Sequence, residues 1–140
     1  MTAPTYLPVH DSIACYLFER NRSMRAQSAH LTYRPRMPYE ITLVAFGHVV
    51  SVPRAVLAAG RYESVRSGRD MCVFPFPDDD AWTYLSLHGD GTLRQFAFKT
   101  ERLTRFLDAT FAAVPPGDEA DWLTVPSDTD WDMWLMRVAS

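Results

Sequence analysis

A chain of 140 residues, 47% of them apolar and 13% aromatic, can bury a core and is too apolar for wholesale disorder. Its formal net charge of −3 lacks the basic excess of a general nucleic-acid binder. Its longest apolar runs, such as Ile41 to Phe46, are far too short to cross a bilayer, and Met1-Thr2-Ala3-Pro4 does not begin a signal peptide.

Residues 1–11 include Pro4 and Pro8 and read as a loose leader to a single domain over 1–140. Ser12–Glu19 alternates Ile13, Cys15 and Leu17 with Ala14, Tyr16 and Phe18, which is a strand with two apolar faces. Such a strand is buried on both sides or covered by a second chain. Asn21–Ala29 is polar and reads as a connection, with Leu31–Arg34 as a short second strand. Pro35 and Pro38 then hold the chain in extended or turn geometry. Tyr39–Phe46 is the clearest strand. Gly47-His48 turns it into Val49–Val52, a hairpin. Pro53–Ala59 reads as a short helix capped by Ser51 and closed by Gly60. Tyr62–Arg69 is a polar loop, and Asp70–Phe76 a strand ended by Pro75 and Pro77. Asp78-Asp79-Asp80 makes a turn. Trp82–Leu87 and Thr92–Phe98 form a hairpin through His88-Gly89-Asp90-Gly91.

The strongest helix follows. Leu103, Phe106, Leu107, Phe111 and Val114 recur at spacings of three and four, one stripe of a helix. Thr100 is placed to cap it, and Pro115-Pro116-Gly117 stops it. Burying five such side chains contributes about 10 kcal/mol at most. Residues 118–140 form an acidic tail: six carboxylates against Arg137 give it a charge of −5. Trp131, Trp134, Leu135 and Val138 have helical spacing, so a final amphipathic helix capped by Ser127 or Asp128 is expected. The reading is α+β: about seven antiparallel strands with one main helix, a short helix after the fourth strand and a C-terminal helix.

Little of the chain suggests catalysis. His10, His30, His48 and His88 are not spaced as metal ligands from one another or from a cysteine. Three consecutive aspartates point different ways and read as a solvated turn. Cys15 and Cys72 lie in apolar strand patterns and read as inert, reduced thiols in a cytosolic protein. No catalytic residue, metal site or cofactor is assigned. Arg20, Arg22, Arg25, Arg34 and Arg36 with Tyr33 and Tyr39 could line a groove for single-stranded nucleic acid, the alternative function. The weaker claim, loop arginines and core aromatics, is preferred. Trp122, Trp131 and Trp134 sit in the acidic tail, and tryptophan is enriched where proteins meet. The residues expected to touch a partner are therefore Tyr33, Tyr39, Trp122, Trp131 and Trp134.

The run Leu103-x-x-Phe106-Leu107-x-x-Thr110, continuing into Ala113-Val114-Pro115-Pro116-Gly117-x-Glu119, resembles a segment of the SsgA-like proteins. These are sporulation and cell-division regulators of actinomycetes. Leu31-x-Tyr33 followed by Pro38-Tyr39 is similar to the family's Leu-x-Tyr and Asp-Pro-Tyr signature. Arg54-x-x-Leu57-Ala58-x-Gly60 and Asp70-x-x-Val73-x-Pro75 are similar to its Arg-Asp-Leu-Leu and Gly-Asp-Val segments. The likeness spans residues 12–119, and the shared order of the motifs makes it specific. It implies a whirly-like fold of antiparallel sheets packed with helices, a trimer or dimer, and no enzymatic activity. It also implies partners such as the ring protein FtsZ or other SsgA-like proteins, and a cytoplasmic location with recruitment to division septa. Met37 replaces the family's aspartate before Pro38, and Ala55 the aspartate after the arginine. With the tryptophan-rich tail, these mark a divergent paralog.

Overall fold

Residues 7–19, 23–89 and 91–123 are described by the structure, a computed structural model. The first four strands, β1 (Val9–Glu19), β2 (Arg25–Tyr33), β3 (Glu40–Ala45) and β4 (His48–Pro53), run as an antiparallel meander. A second meander follows: β5 (Val65–Ser67), β6 (Met71–Phe76), β7 (Asp79–Gly89) and β8 (Thr92–Lys99). One seam joins them. β1 pairs with β8, Cys15 opposite Phe98 and Leu17 opposite Phe96, giving one sheet in the order β4-β3-β2-β1-β8-β7-β6-β5.

That order forces the sheet to curl. Its edges are β4 and β5, yet only residues 54–64 connect them. In a flat sheet seven inter-strand steps would separate the edges by about 34 Å. The connection includes the six-residue helix α1 (Arg54–Ala59) and spans about 26 Å at most. Accordingly α1 touches both β4 and β5. The concave face holds the core, in which Ile13, Leu17, Leu31, Ile41, Leu43, Val73, Leu85, Phe96 and Phe98 alternate inward. The main helix, α2 (Thr100–Ala113), lies across it, against β1, β7 and β8. Its buried residues are Leu103, Phe106, Leu107 and Thr110, with Val114 just beyond; Phe111 is only half-buried.

Several expectations change. The described residues form eight strands, not about seven, because the presumed loop at 62–69 contains β5. β2 begins at Arg25, inside the stretch read as a connection. Its first four residues are exposed, so no apolar pattern announces them, and backbone pairing with β1 holds them in place. The β3–β4 turn is Phe46-Gly47, one residue earlier than expected, with φ of 53° and 78°. Two positive φ values match the twist of a tight hairpin. Phe46 tolerates this because its N–H donates to Gln27 Oε1 at 2.6 Å and its ring sits beside Phe96.

The caps also differ. Ser51 donates to Glu40 at 2.9 Å and does not cap α1, whose flanking residue is Pro53. The Thr100 hydroxyl pairs with Thr83 at 2.8 Å, and α2 starts without a side-chain cap. Gly60 closes α1 in an ordinary right-handed conformation, φ −63°. Its lack of a side chain matters for another reason: a Cβ there would lie 2.2 Å from Val73 Cγ1. A short helix α3 (Glu119–Trp122) follows the double proline. The expected tail helix, with Ser127 and Asp128, lies outside the described residues, as does the leader up to residue 6. Among the described residues no helix is long and apolar enough to cross a membrane.

Candidate partner-contact site

Arg54 opens α1 and is 2% exposed. A buried guanidinium needs partners for its charge and its N–H groups. Nη1 donates to the carbonyls of Thr110 at 3.1 Å and Val114 at 2.7 Å. These oxygens belong to the end of α2, where the dipole favours a cation; the Thr110 carbonyl also accepts the Val114 N–H at 2.9 Å. Nη2 donates to Glu119 Oε1 at 2.9 Å. The rings of Tyr33 and Phe111 flank the guanidinium carbon, their centroids 4.9 and 5.0 Å away. Glu119 completes the knot by accepting from the Gly117 N–H at 2.8 Å. Its own backbone N–H, and then Arg54, hold its carboxyl below the ordinary value of 4.5.

The knot fixes a neighbouring surface. Tyr33 Oη donates to the Pro38 carbonyl at 2.9 Å, and the Arg54 N–H to the Tyr39 carbonyl at 2.7 Å. The turn from Arg34 to Glu40 is thereby anchored from below. On its outer side Met37, Pro38, Tyr39 and Leu123 line a groove of about 230 Å³ with Arg36 and Glu40 at its rim. Met37 is 56% exposed, Tyr39 51% and Leu123 43%. The arrangement offers apolar contact beside mixed charge, on rigid supports.

Of the residues expected to touch a partner, Tyr39 stands in this groove. Trp122, half-buried against the core, precedes the groove residue Leu123. Tyr33 is fully buried, so it supports the surface from beneath and cannot meet a partner directly. Burial pushes its phenol up to about 12, against the pull of Arg54. Trp131 and Trp134 lie outside the described residues. Of the arginine–tyrosine cluster raised for nucleic acid, Arg36 and Tyr39 share this groove. Tyr33 is buried, and Arg25 is bound to Glu19 at 2.6 Å; Arg20 and Arg22 are outside them.

Three of the four histidines raised as chemical candidates have partners of their own. His10 pairs with Thr32 at 3.1 Å, and His48 meets the Phe96 ring edge-on. His30 pairs with Ser12 at 2.8 Å, a serine–histidine contact that a separation of 18 positions hid from sequence reading. It is a cross-strand pair on the exposed outer face. Both cysteines are free thiols; burial pushes that of Cys15 up to about 12. Among the described residues no group of three or more histidine, cysteine or carboxylate side chains could hold a metal ion.

The sequence profile described as Streptomyces sporulation and cell division protein, SsgA, matches residues 28–119, about two thirds of the chain. The chain belongs to the SsgA family. No curated protein matches it significantly. Two solved structures share its fold. One, described under mutations in SsgB that correlate with longitudinal cell division during sporulation of Streptomyces coelicolor, is 24% identical with a TM-score of 0.72. It covers 84% of this chain and 96% of its own. The other is an SsgA-like sporulation-specific cell division protein from Thermobifida fusca, 21% identical, with a TM-score of 0.77. It covers 96% of this chain and 99% of its own. In this SsgA-family chain the matched segment contains every part of the Arg54 knot, from Tyr33 to Glu119.

Proposed function

We propose that this SsgA-family chain is a non-catalytic adaptor of sporulation-specific cell division and septum placement in actinomycetes. It acts by protein–protein contact, with FtsZ or another SsgA-like protein as partner. In this reading the whole chain is one domain, works as a trimer or dimer in the cytoplasm, and is recruited to division septa. The observation that carries the reading is the family match over residues 28–119, whose description names sporulation and cell division. The groove of Met37, Tyr39 and Leu123 supports it, since exposed apolar side chains held on a rigid base suit recognition. In this reading Trp122, Trp131 and Trp134 of the acidic tail are further contact residues, as tryptophan is enriched where proteins meet.

The test is affinity capture from a sporulating actinomycete culture in mild salt, with the retained proteins identified by mass spectrometry. FtsZ or an SsgA-like protein is expected, and a Met37→Ser/Tyr39→Ser variant should retain less of it. Failure to retain any division protein would count decisively against the adaptor role.

A further inference from the structure

The outer face of the sheet is divided by chemistry. Across β1 and β2 it carries small polar groups such as Ser12, Ser28 and His30. Across β1, β8, β7 and β6 it carries rings. Tyr16, Ala97 and Tyr84 lie in one row, since Ala97 is opposite Tyr16 on one side and Tyr84 on the other. The small residue between two large ones leaves a trough. Tyr16 meets Trp82 edge-on at 5.4 Å, while Tyr84 stacks with Phe76 at 5.4 Å and with Phe18 at 6.0 Å. The resulting groove holds about 310 Å³, and Asp79 lines it. Asp78 and Asp80 adjoin it, in a cleft they share with Arg61 and Tyr62. Lys99, exposed and opposite Trp82, is the cation nearest in register. Arg61, tied to the Ala58 carbonyl and the Thr104 hydroxyl, is the other cation of that cleft, and three carboxylates against these two cations still leave the mouth net negative.

Ring faces carry negative charge density and attract cations, most strongly beside a carboxylate. Phosphate would meet both the π faces and the aspartates, and so is repelled. The molecule already holds one cation by this recipe: Arg54 lies between two rings with Glu119 at its tip. We propose that the outer groove is a receptor for a cationic side chain, arginine or lysine, on an extended segment of a protein partner. It shares no residue with the groove of Tyr39 and does not depend on the adaptor reading.

The test titrates the full-length protein with end-blocked tetra-arginine, tetra-lysine and tetra-citrulline peptides, following the tryptophan indole N–H signals by NMR. Trp82 is identified by the signal lost in Trp82→Phe. A cationic peptide should shift that signal, and the uncharged citrulline peptide should leave it in place. Tyr84→Phe keeps the ring and should keep the affinity, whereas Tyr84→Leu should weaken binding by about two- to thirty-fold. Asp79→Asn should weaken it several-fold and flatten its salt dependence. Should Tyr84→Leu fail to fold, the Asp79→Asn and citrulline comparisons still decide. Equal shifts with citrulline, or a Trp82 signal unmoved by either cationic peptide, overturn the proposal. So does a second copy occupying the groove, seen as a fall in solution mass in Tyr84→Leu without any peptide response.

Discussion

Replacing Arg54 should cost more stability than any other single polar change in the chain. Arg54→Ala leaves the Val114 carbonyl without its guanidinium donor, strips Glu119 of its ion pair, and opens a space between Tyr33 and Phe111. Breaking a buried pair from one side costs about 3–5 kcal/mol. An unsatisfied carbonyl alone costs about 1–3 kcal/mol, so a loss of about 1 kcal/mol remains even if water reaches Glu119. A domain of this size has about 5–15 kcal/mol in total. Urea unfolding should therefore show a midpoint lowered by roughly a fifth or more of its wild-type value. Arg54→Lys keeps the charge but not the planar fork that serves two carbonyls and a carboxylate, and should fall between. A cycle with Glu119→Gln should give a coupling of about 0.5–3 kcal/mol. A loss below about 1 kcal/mol in Arg54→Ala, or a lysine variant equal to wild type, would refute the claim that this knot holds the end of α2.

Three further outcomes follow from the same geometry. Because the Glu119 carboxyl is held below its ordinary 4.5, its contribution is complete above that value and disappears as pH falls through the folded one; the stability gap between wild type and Glu119→Gln should close on acidification, and a pH-independent gap would contradict the assignment. Gly60→Ala places a methyl 2.2 Å from Val73 Cγ1 and 2.5 Å from Val73 Cβ and should cost about 1–3 kcal/mol, little of it restored by Val73→Ala, which keeps that Cβ; thermal melts of the two single variants and the double variant check this. Cys15, with its thiol pushed up to about 12 inside the core, stays protonated at neutral pH, so a thiol reagent should label the folded chain at Cys72 and reach Cys15 only on unfolding. Rapid double labelling of the native protein would be the contrary result.

Where the sequence could be read, one-dimensional periodicity carried the information. The α2 stripe put Leu103, Phe106, Leu107 and Val114 in the core, and all four are buried. Phe111 leaves that pattern because it forms a wall for Arg54. The two apolar faces of β1 pointed to cover on both sides; the inner face is buried, while on the outer one Ala14 is exposed and Tyr16 and Phe18 are half-buried in a ring cluster. What escaped reading depends on contacts between distant positions. Arg54 and Glu119 are 65 residues apart, and neither spacing nor composition pairs them. Tyr33 looked like a contact residue because nothing local reveals that a guanidinium and the Pro38 carbonyl enclose it. β5 is three residues long, too short for an alternation to register.

The seam between β1 and β8 has a consequence for biosynthesis. Each meander is built from neighbours along the chain and can pair as it emerges from the ribosome. One long edge of β1, however, waits for a partner roughly eighty residues downstream. Throughout that interval Tyr16, Phe18 and the inward row of Ile13, Cys15 and Leu17 face whatever else surrounds the nascent chain. The nascent chain is thus most prone to aggregate when its first half is finished and its second is not. Closing the seam seals the barrel-like wall and shelters the strand made first with the strand made last.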